Sequence, residues 1–247
     1  MCTLVLGLRA WEDADLLVAA NRDERLDRRA LPPRRFDDRG LPVLAPQDIE
    51  RGGTWLGLNA RGLFAGVTNR FGAPRDPRRR SRGELVFDAL EAADCAQAAE
   101  RLAGLQPGQY NPFHLLVADR RAGLMLVDDG RSLHRKELGP GLHVLTERSF
   151  SDAAPERETW LQARLASCAR CPDAERFREL LSFHHPIDPF DGTCVHVPWL
   201  GYGTRSATLI RLGAGGDLFL HAEGPPCETP WADYGQAWRD TAGNSSR

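Results

Sequence analysis

Residues 2–8 read Cys-Thr-Leu-Val-Leu-Gly-Leu, an apolar, β-favouring run that starts one residue after the initiator methionine. A second such run, Asp15-Leu-Leu-Val-Ala-Ala20, follows after a turn at Trp11 to Asp13 and ends in the polar tetrapeptide Asn21-Arg22-Asp23-Glu24. Two apolar runs separated by a short polar turn predict paired strands. If 2–8 and 15–20 form a hairpin, residues 21–23 return beside the chain start. The terminus is then held by a sheet and does not fray.

Position 2 carries the chemistry. Methionine is trimmed when the next side chain is small, and trimming would leave a thiol and a free α-amine on one residue. An α-amine has an ordinary pKa of about 7.7–8.0, suited to a general base at neutral pH. A nucleophile activated by its own amine is one variant of nucleophile–base catalysis. Asp23 is expected to orient that amine, and Arg22 to favour the thiolate through its charge. Read alone, a cysteine here is a small buried residue and the tetrapeptide a charged turn; their placement at one sheet end favours a site.

Further along, 54–59 and 63–68 form a hairpin pattern about Ala60-Arg61-Gly62. Residues 74–82, rich in proline and arginine, read as a solvated loop. Helical periodicity runs from Gly83 to Leu105, with Asp94 as the cap of a second helix. Strands are expected at 113–118, 124–128, 142–146, 193–199, 204–212 and 217–222, helices at 156–169 and 173–183, and an irregular tail over 224–247. Grouped strands and helices predict an α+β fold of two mainly antiparallel sheets, because a doubly wound sheet would alternate them.

The 247 residues suit one large domain. A net charge of −2 gives no field that would favour nucleic acid. No apolar stretch approaches the about 18 residues that a spanning helix needs, so no stable membrane insertion is expected. The six cysteines and the lack of a secretory signal lead to the expectation of a reduced, cytoplasmic protein. Cys168-x-x-Cys171 has the spacing of half a zinc site, which Cys194 and His196 complete only loosely, so small packed cysteines and no metal or cofactor are expected.

Taken together, the Met-Cys start, Asn21 to Glu24, Gly52-Gly53-Thr54-Trp55-Leu56-Gly57, Thr68-Asn69 and Gly203-Thr204-Arg205-Ser206 resemble the NRDE family, also called the transport-and-Golgi-organisation family. The resemblance implies an Ntn-hydrolase fold, a four-layer αββα sandwich, and a distant likeness to the penicillin V acylase and bile salt hydrolase group. It implies Cys2 as nucleophile of a linear carbon–nitrogen amide bond, Asp23 beside the amine, Asn69 as an oxyanion donor and Arg205 near the nucleophile. Asn21, Arg22, Trp55 and Glu147 are the expected substrate-binding residues. The alternative it implies is a binding or trafficking protein for haem or an acyl lipid, with no reaction. Two departures stand out: Ala20 replaces an arginine, and Glu147 replaces an asparagine that would donate to the oxyanion. A carboxylate there would oppose an oxyanion.

Overall fold

In a computed structural model the apolar runs become strands because each is buried on both faces. The structure describes residues 2–72, 75–150 and 156–243. In chain order the strands begin with β1 (Cys2–Trp11), β2 (Ala14–Arg25), β3 (Ala30–Phe36), β4 (Val43–Asp48), β5 (Leu56–Asn59) and β6 (Phe64–Asn69). Helices α1 (Arg82–Leu90) and α2 (Cys95–Arg101) follow, then β7 (Phe113–Ala118), β8 (Gly123–Asp128), β9 (Leu133–Leu138) and β10 (Gly141–Thr146). The chain continues through α3 (Glu156–Ala166), α4 (Ala174–Leu181), β11 (His196–Val197), β12 (Tyr202–Leu212), β13 (Leu218–Ala222), β14 (Ala232–Asp233) and α5 (Gly235–Gly243). They form two compact units, one of residues 1–28 and 140–234, the other of 29–139 and 235–247.

The first unit is an antiparallel sheet in the order β10-β1-β2-β12-β13-β14, with β11 on β12. The expected hairpin is present, with Cys2 opposite Arg22 and Thr3 opposite Asn21. Val5, Leu17, Ala19, Val144, Ala207 and Leu209 pack against Leu161 and Leu165 of α3 and Phe177, Leu180 and Leu181 of α4. Cys2, Leu4, Leu6 and Leu8 alternate with that set and take the other face.

The second unit is an antiparallel sheet running β3 to β9 in sequence order. Its core joins Phe36, Val43, Ala65, Leu115 and Leu126 to Val86, Phe87 and Leu90 of α1 and Ala98 of α2. Ser81 caps α1 and Asp94 caps α2, each accepting from a backbone N–H of the first turn. Asn59 is fully buried and saturated: its amide donates to the carbonyls of Leu90 and Ala92 at 2.8 and 2.6 Å, and its oxygen accepts from Arg61 and Leu63.

Several expectations are corrected. The tail is not irregular throughout: α5 packs on β3 and β4, where Arg35 donates to the Asp240 carbonyl at 2.7 Å. The span 193–199 contains only the short β11, because Pro198 ends pairing in a tight turn closed by left-handed Gly201. β3 was hidden by Pro32 and Pro33, which sit at a bulge of this edge strand where no ladder donor is needed. Of the basic stretch, residue 74 lies outside the described residues. The rest is tied down: Arg79 donates to the Tyr110 carbonyl, Arg82 to that of Pro112, and Asn111 bonds to Asp76.

The Gly-Gly motif has a packing cause. A Cβ on Gly53 would lie 2.7 Å from the Gly83 backbone, and one on Gly83 would lie 2.8 Å from the Thr54 nitrogen. The β4–β5 connection and the start of α1 thus meet backbone to backbone. Gly53→Ala is expected to lower unfolding free energy by about 1–3 kcal/mol through overpacking, read by urea denaturation. The nearby surface exchange Arg51→Ala is the control and should change little.

Candidate active site

The amino-terminal end of β1 lies between two strand ends, the carboxy-terminal half of β2 and the end of β10. Cys2 therefore sits where β1 begins, with Arg22 opposite it and Asp23 next along β2. The backbone N–H of Asp23 donates to the Cys2 thiol. Burial pushes the thiol's pKa up, and the Asp23 charge adds to this; the Asp23 N–H and Arg22 act in the opposite sense. Cys2 is held as a neutral thiol, so attack requires a base to take its proton.

Asp23 is 2% exposed. Its Oδ1 accepts from the Thr204 hydroxyl at 2.6 Å, and its backbone carbonyl accepts from the Tyr202 hydroxyl at 2.7 Å. Both partners come from β12, which bulges between Thr204 and Ser206. The second carboxylate oxygen lies 3.7 Å from Arg157 Nη1. Burial pushes the Asp23 carboxyl up to about 6, against the opposing pull of Arg157 and the Thr204 hydrogen bond.

Arg157 is the centre of this network. It is 1% exposed, in the first turn of α3, and shares the stripe of Leu161 and Leu165 that packs on the sheet. Its guanidinium bridges Asp23 to Glu147, donating to the latter through Nη2, and to the Gly192 carbonyl at 3.4 Å. Glu147 also has Arg148 Nε at 3.6 Å. Its negative charge is thus met by two guanidinium groups, which offsets the repulsion expected towards an oxyanion. It still supplies no N–H donor.

Of the expected site residues, the first unit brings together Cys2, Arg22, Asp23 and Glu147, with Asn21 and Arg205 beside them in the strands. Both amide hydrogens of Asn21 are committed, to the Leu181 carbonyl at 2.8 Å and the Thr193 carbonyl at 2.7 Å. Arg205 occupies the β12 bulge itself. Asn69 and Trp55 belong to the second unit: Asn69 ends β6 opposite Phe113, and the Trp55 carbonyl accepts from Val67. Sequence reasoning missed Arg157, Thr204 and Tyr202. The signal for Arg157 was a charged residue on the apolar stripe of a helix.

Along its sequence the chain matches the Transport and Golgi organisation 2 family over residues 1–221. The chain belongs to that family. It is 36% identical over 239 residues to the human Transport and Golgi organization protein 2 homolog and 30% over 236 to that of Bos taurus, in each case covering 82% of this chain and 84% of the relative. Solved structures of the same fold include a C2A mutant of conjugated bile acid hydrolase from Clostridium perfringens (TM-score 0.58, 10% identity, 96% of this chain and 93% of that one). A Caenorhabditis elegans orthologue of N-acylethanolamine-hydrolyzing acid amidase matches at 0.56 (13%, covering 87% and 94%). Penicillin V acylase from Agrobacterium tumefaciens matches at 0.51 (15%, covering 94% and 86%). The fold is Ntn-hydrolase-like, as expected. No helix among the described residues is long and apolar enough to cross a membrane.

Removing the guanidinium would take from Asp23 and Glu147 the buried cation that they share. Arg157→Met is expected to cost on the order of 3–5 kcal/mol of stability at pH 7, measured by chemical denaturation. Asp23 has a second, separable signature. Its folded pKa of about 6 exceeds its ordinary 3.8, so the native state holds this proton more tightly than the unfolded chain. Stability should fall as pH rises between those values, by on the order of 3 kcal/mol. Asp23→Asn should remove that slope from a Tm-against-pH profile.

Proposed function

We propose that this protein is an N-terminal-cysteine hydrolase that cleaves a linear amide bond in a small or acyl-bearing substrate. The observation that supports this most is the thiol of Cys2, held at the head of a central strand by the Asp23 N–H with a buried Asp23–Arg157–Glu147 system behind it. The fold neighbours bear on the substrate class, since two of them are named as hydrolases of an N-acylethanolamine and of conjugated bile acids.

In this reading removal of Met1 frees the α-amine of Cys2. The amine takes the thiol proton as sulfur attacks the substrate carbonyl. The carbon–sulfur bond forms, the carbon–nitrogen bond breaks, and the proton passes to the departing amine. Water then cleaves the thioester, giving the acid and restoring the thiol. Ionised Asp23 orients the amine, and Arg22 offsets developing negative charge. Arg205 is assigned to a substrate carboxylate, which it can grip bidentately.

A second reading is favoured by Glu147, which fills an expected donor position with an acceptor, and by the raised thiol pKa. Here the protein binds haem or an acyl lipid without turnover. Haem titration of the wild type and Cys2→Ala separates the readings when set beside hydrolysis.

The decisive experiment uses protein shown by intact mass to have lost Met1. Incubation with long-chain N-acyl amides should release amine and leave a mass increment of one acyl group on Cys2 after rapid quench. Cys2→Ala should lose both. The acid limb of kcat/KM should carry a component near 6 from Asp23, lost in Asp23→Asn, beside that of the amine itself. Neither adduct nor release from a folded, processed protein would sink the hydrolase reading.

A further inference from the structure

A second cluster in the first unit, separate from the Cys2 network, joins four side chains from three segments. His184 follows α4, Cys194 and His196 flank Val195 on the way into β11, and Cys227 lies in the loop after β13. The Sγ atoms of Cys194 and Cys227 are 3.6 Å apart, and His196 Nε2 lies 3.4 Å from the first and 3.3 Å from the second. With His184, whose ring centroid is 4.9 Å from that of His196, all four ligand atoms fall within 4.8 Å of one another.

Those distances have a chemical meaning. Tetrahedral zinc with Zn–S of about 2.3 Å and Zn–N of about 2.0–2.1 Å sets its sulfurs about 3.8 Å apart and each sulfur about 3.6 Å from a nitrogen. The Cys194–His196–Cys227 triangle is within about 0.3 Å of those edges. A disulfide would need sulfurs about 2.0 Å apart. Cys194 is buried at the base of the cluster, and His184, which is exposed, closes it from the solvent side. The backbone is built to bring the segments close: Cys194 N–H donates to the Phe183 carbonyl at 3.0 Å, and a Cβ on Gly192 would lie 2.9 Å from the His185 nitrogen. The Cys168-x-x-Cys171 pair takes no part. The Cys168 carbonyl accepts from Trp11 Nε1, and the Cys171 N–H donates to Asp13.

We propose that His184, Cys194, His196 and Cys227 form a Cys2His2 site for a zinc ion of structural type. Four protein ligands leave no open position, so the ion acts as a clamp and takes no substrate. What it clamps is specific. The residue before Cys194 is Thr193, whose carbonyl holds Asn21. The residue after it is Val195, whose N–H donates to the Thr204 hydroxyl at 2.8 Å, and that hydroxyl donates to Asp23. The ion would cross-link the loop after α4 to the loop after β13 and fix the short segment that positions Asp23.

The test is metal analysis of the full-length protein, produced with zinc and passed through a chelating column. One zinc per chain is expected in the wild type and in Cys168→Ser/Cys171→Ser, and a loss to near zero in Cys194→Ser and Cys227→Ser. Cobalt exchanged into the wild type should show thiolate-to-cobalt charge transfer and the intense visible bands of a tetrahedral centre. Should the cysteine variants fail to fold, the exposed His184→Ala serves in their place, with faster zinc loss to a chromogenic chelator than the wild type. Folded wild-type protein with neither stoichiometric zinc nor the cobalt spectrum overturns the proposal. So does a Cys194–Cys227 disulfide in metal-free protein prepared under reducing conditions.

Discussion

The guanidinium of Arg157 is buried in the first unit with two carboxylates and a main-chain carbonyl around it. An isolated charge at this depth would cost several kcal/mol, and the geometry has to return that energy through its partners. Asp23 must therefore stand at the end of β2, Glu147 just past β10, and the Gly192 carbonyl above α3. Fixing Asp23 fixes its N–H, and with it the Cys2 sulfur. The site is in this sense a by-product of solving one charge-burial problem in the sheet beneath α3.

The same arrangement separates two electrostatic tasks. Asp23 carries a carboxyl whose ionisation is delayed by burial to about 6, which places its charge change just below neutrality. Glu147 carries the compensating charge for Arg157, so Asp23 is not the cation's only partner. A position where the sequence led us to expect an amide donor holds a counter-ion. Glu147 is thus a member of a charge network, where the sequence alone presented it as an acceptor misplaced at an oxyanion.

Much of the frame was legible from periodicity. The β1–β2 hairpin and its polar end follow from two apolar runs and one tetrapeptide, and the caps at Asp94 and the glycine turns are local signals. The losses have physical causes. Pro32 and Pro33 mask β3 because the bulge that tolerates them is invisible without its partner. The charged run Leu133 to Leu138 gives no alternating apolar face, yet it pairs with β8 as a sheet edge, where charge is favoured. α5 was missed because it is short, has a glycine at each end and carries Trp238 as its one large apolar residue, the residue that anchors it. In the site, Cys2 to Asp23 could be read because they are neighbours across one hairpin. Arg157 and Thr204 could not, since their link to Asp23 spans well over a hundred residues and exists only in space.

The order of strands also shapes how the protein is made. β1 and β2 leave the ribosome first, but their other neighbours, β10 and β12, are separated from them by the whole run Arg29–Gly139. Until those strands arrive, the hairpin is a two-stranded ribbon, apolar on both faces and open along both edges, a form that is marginal by itself and prone to wrong pairing. The intervening run meanwhile contains every strand of its own sheet and lacks only α5. Synthesis thus delivers a nearly complete second unit before the first can close, and the hairpin that carries Cys2 is the part of the nascent chain that most needs a chaperone's cover.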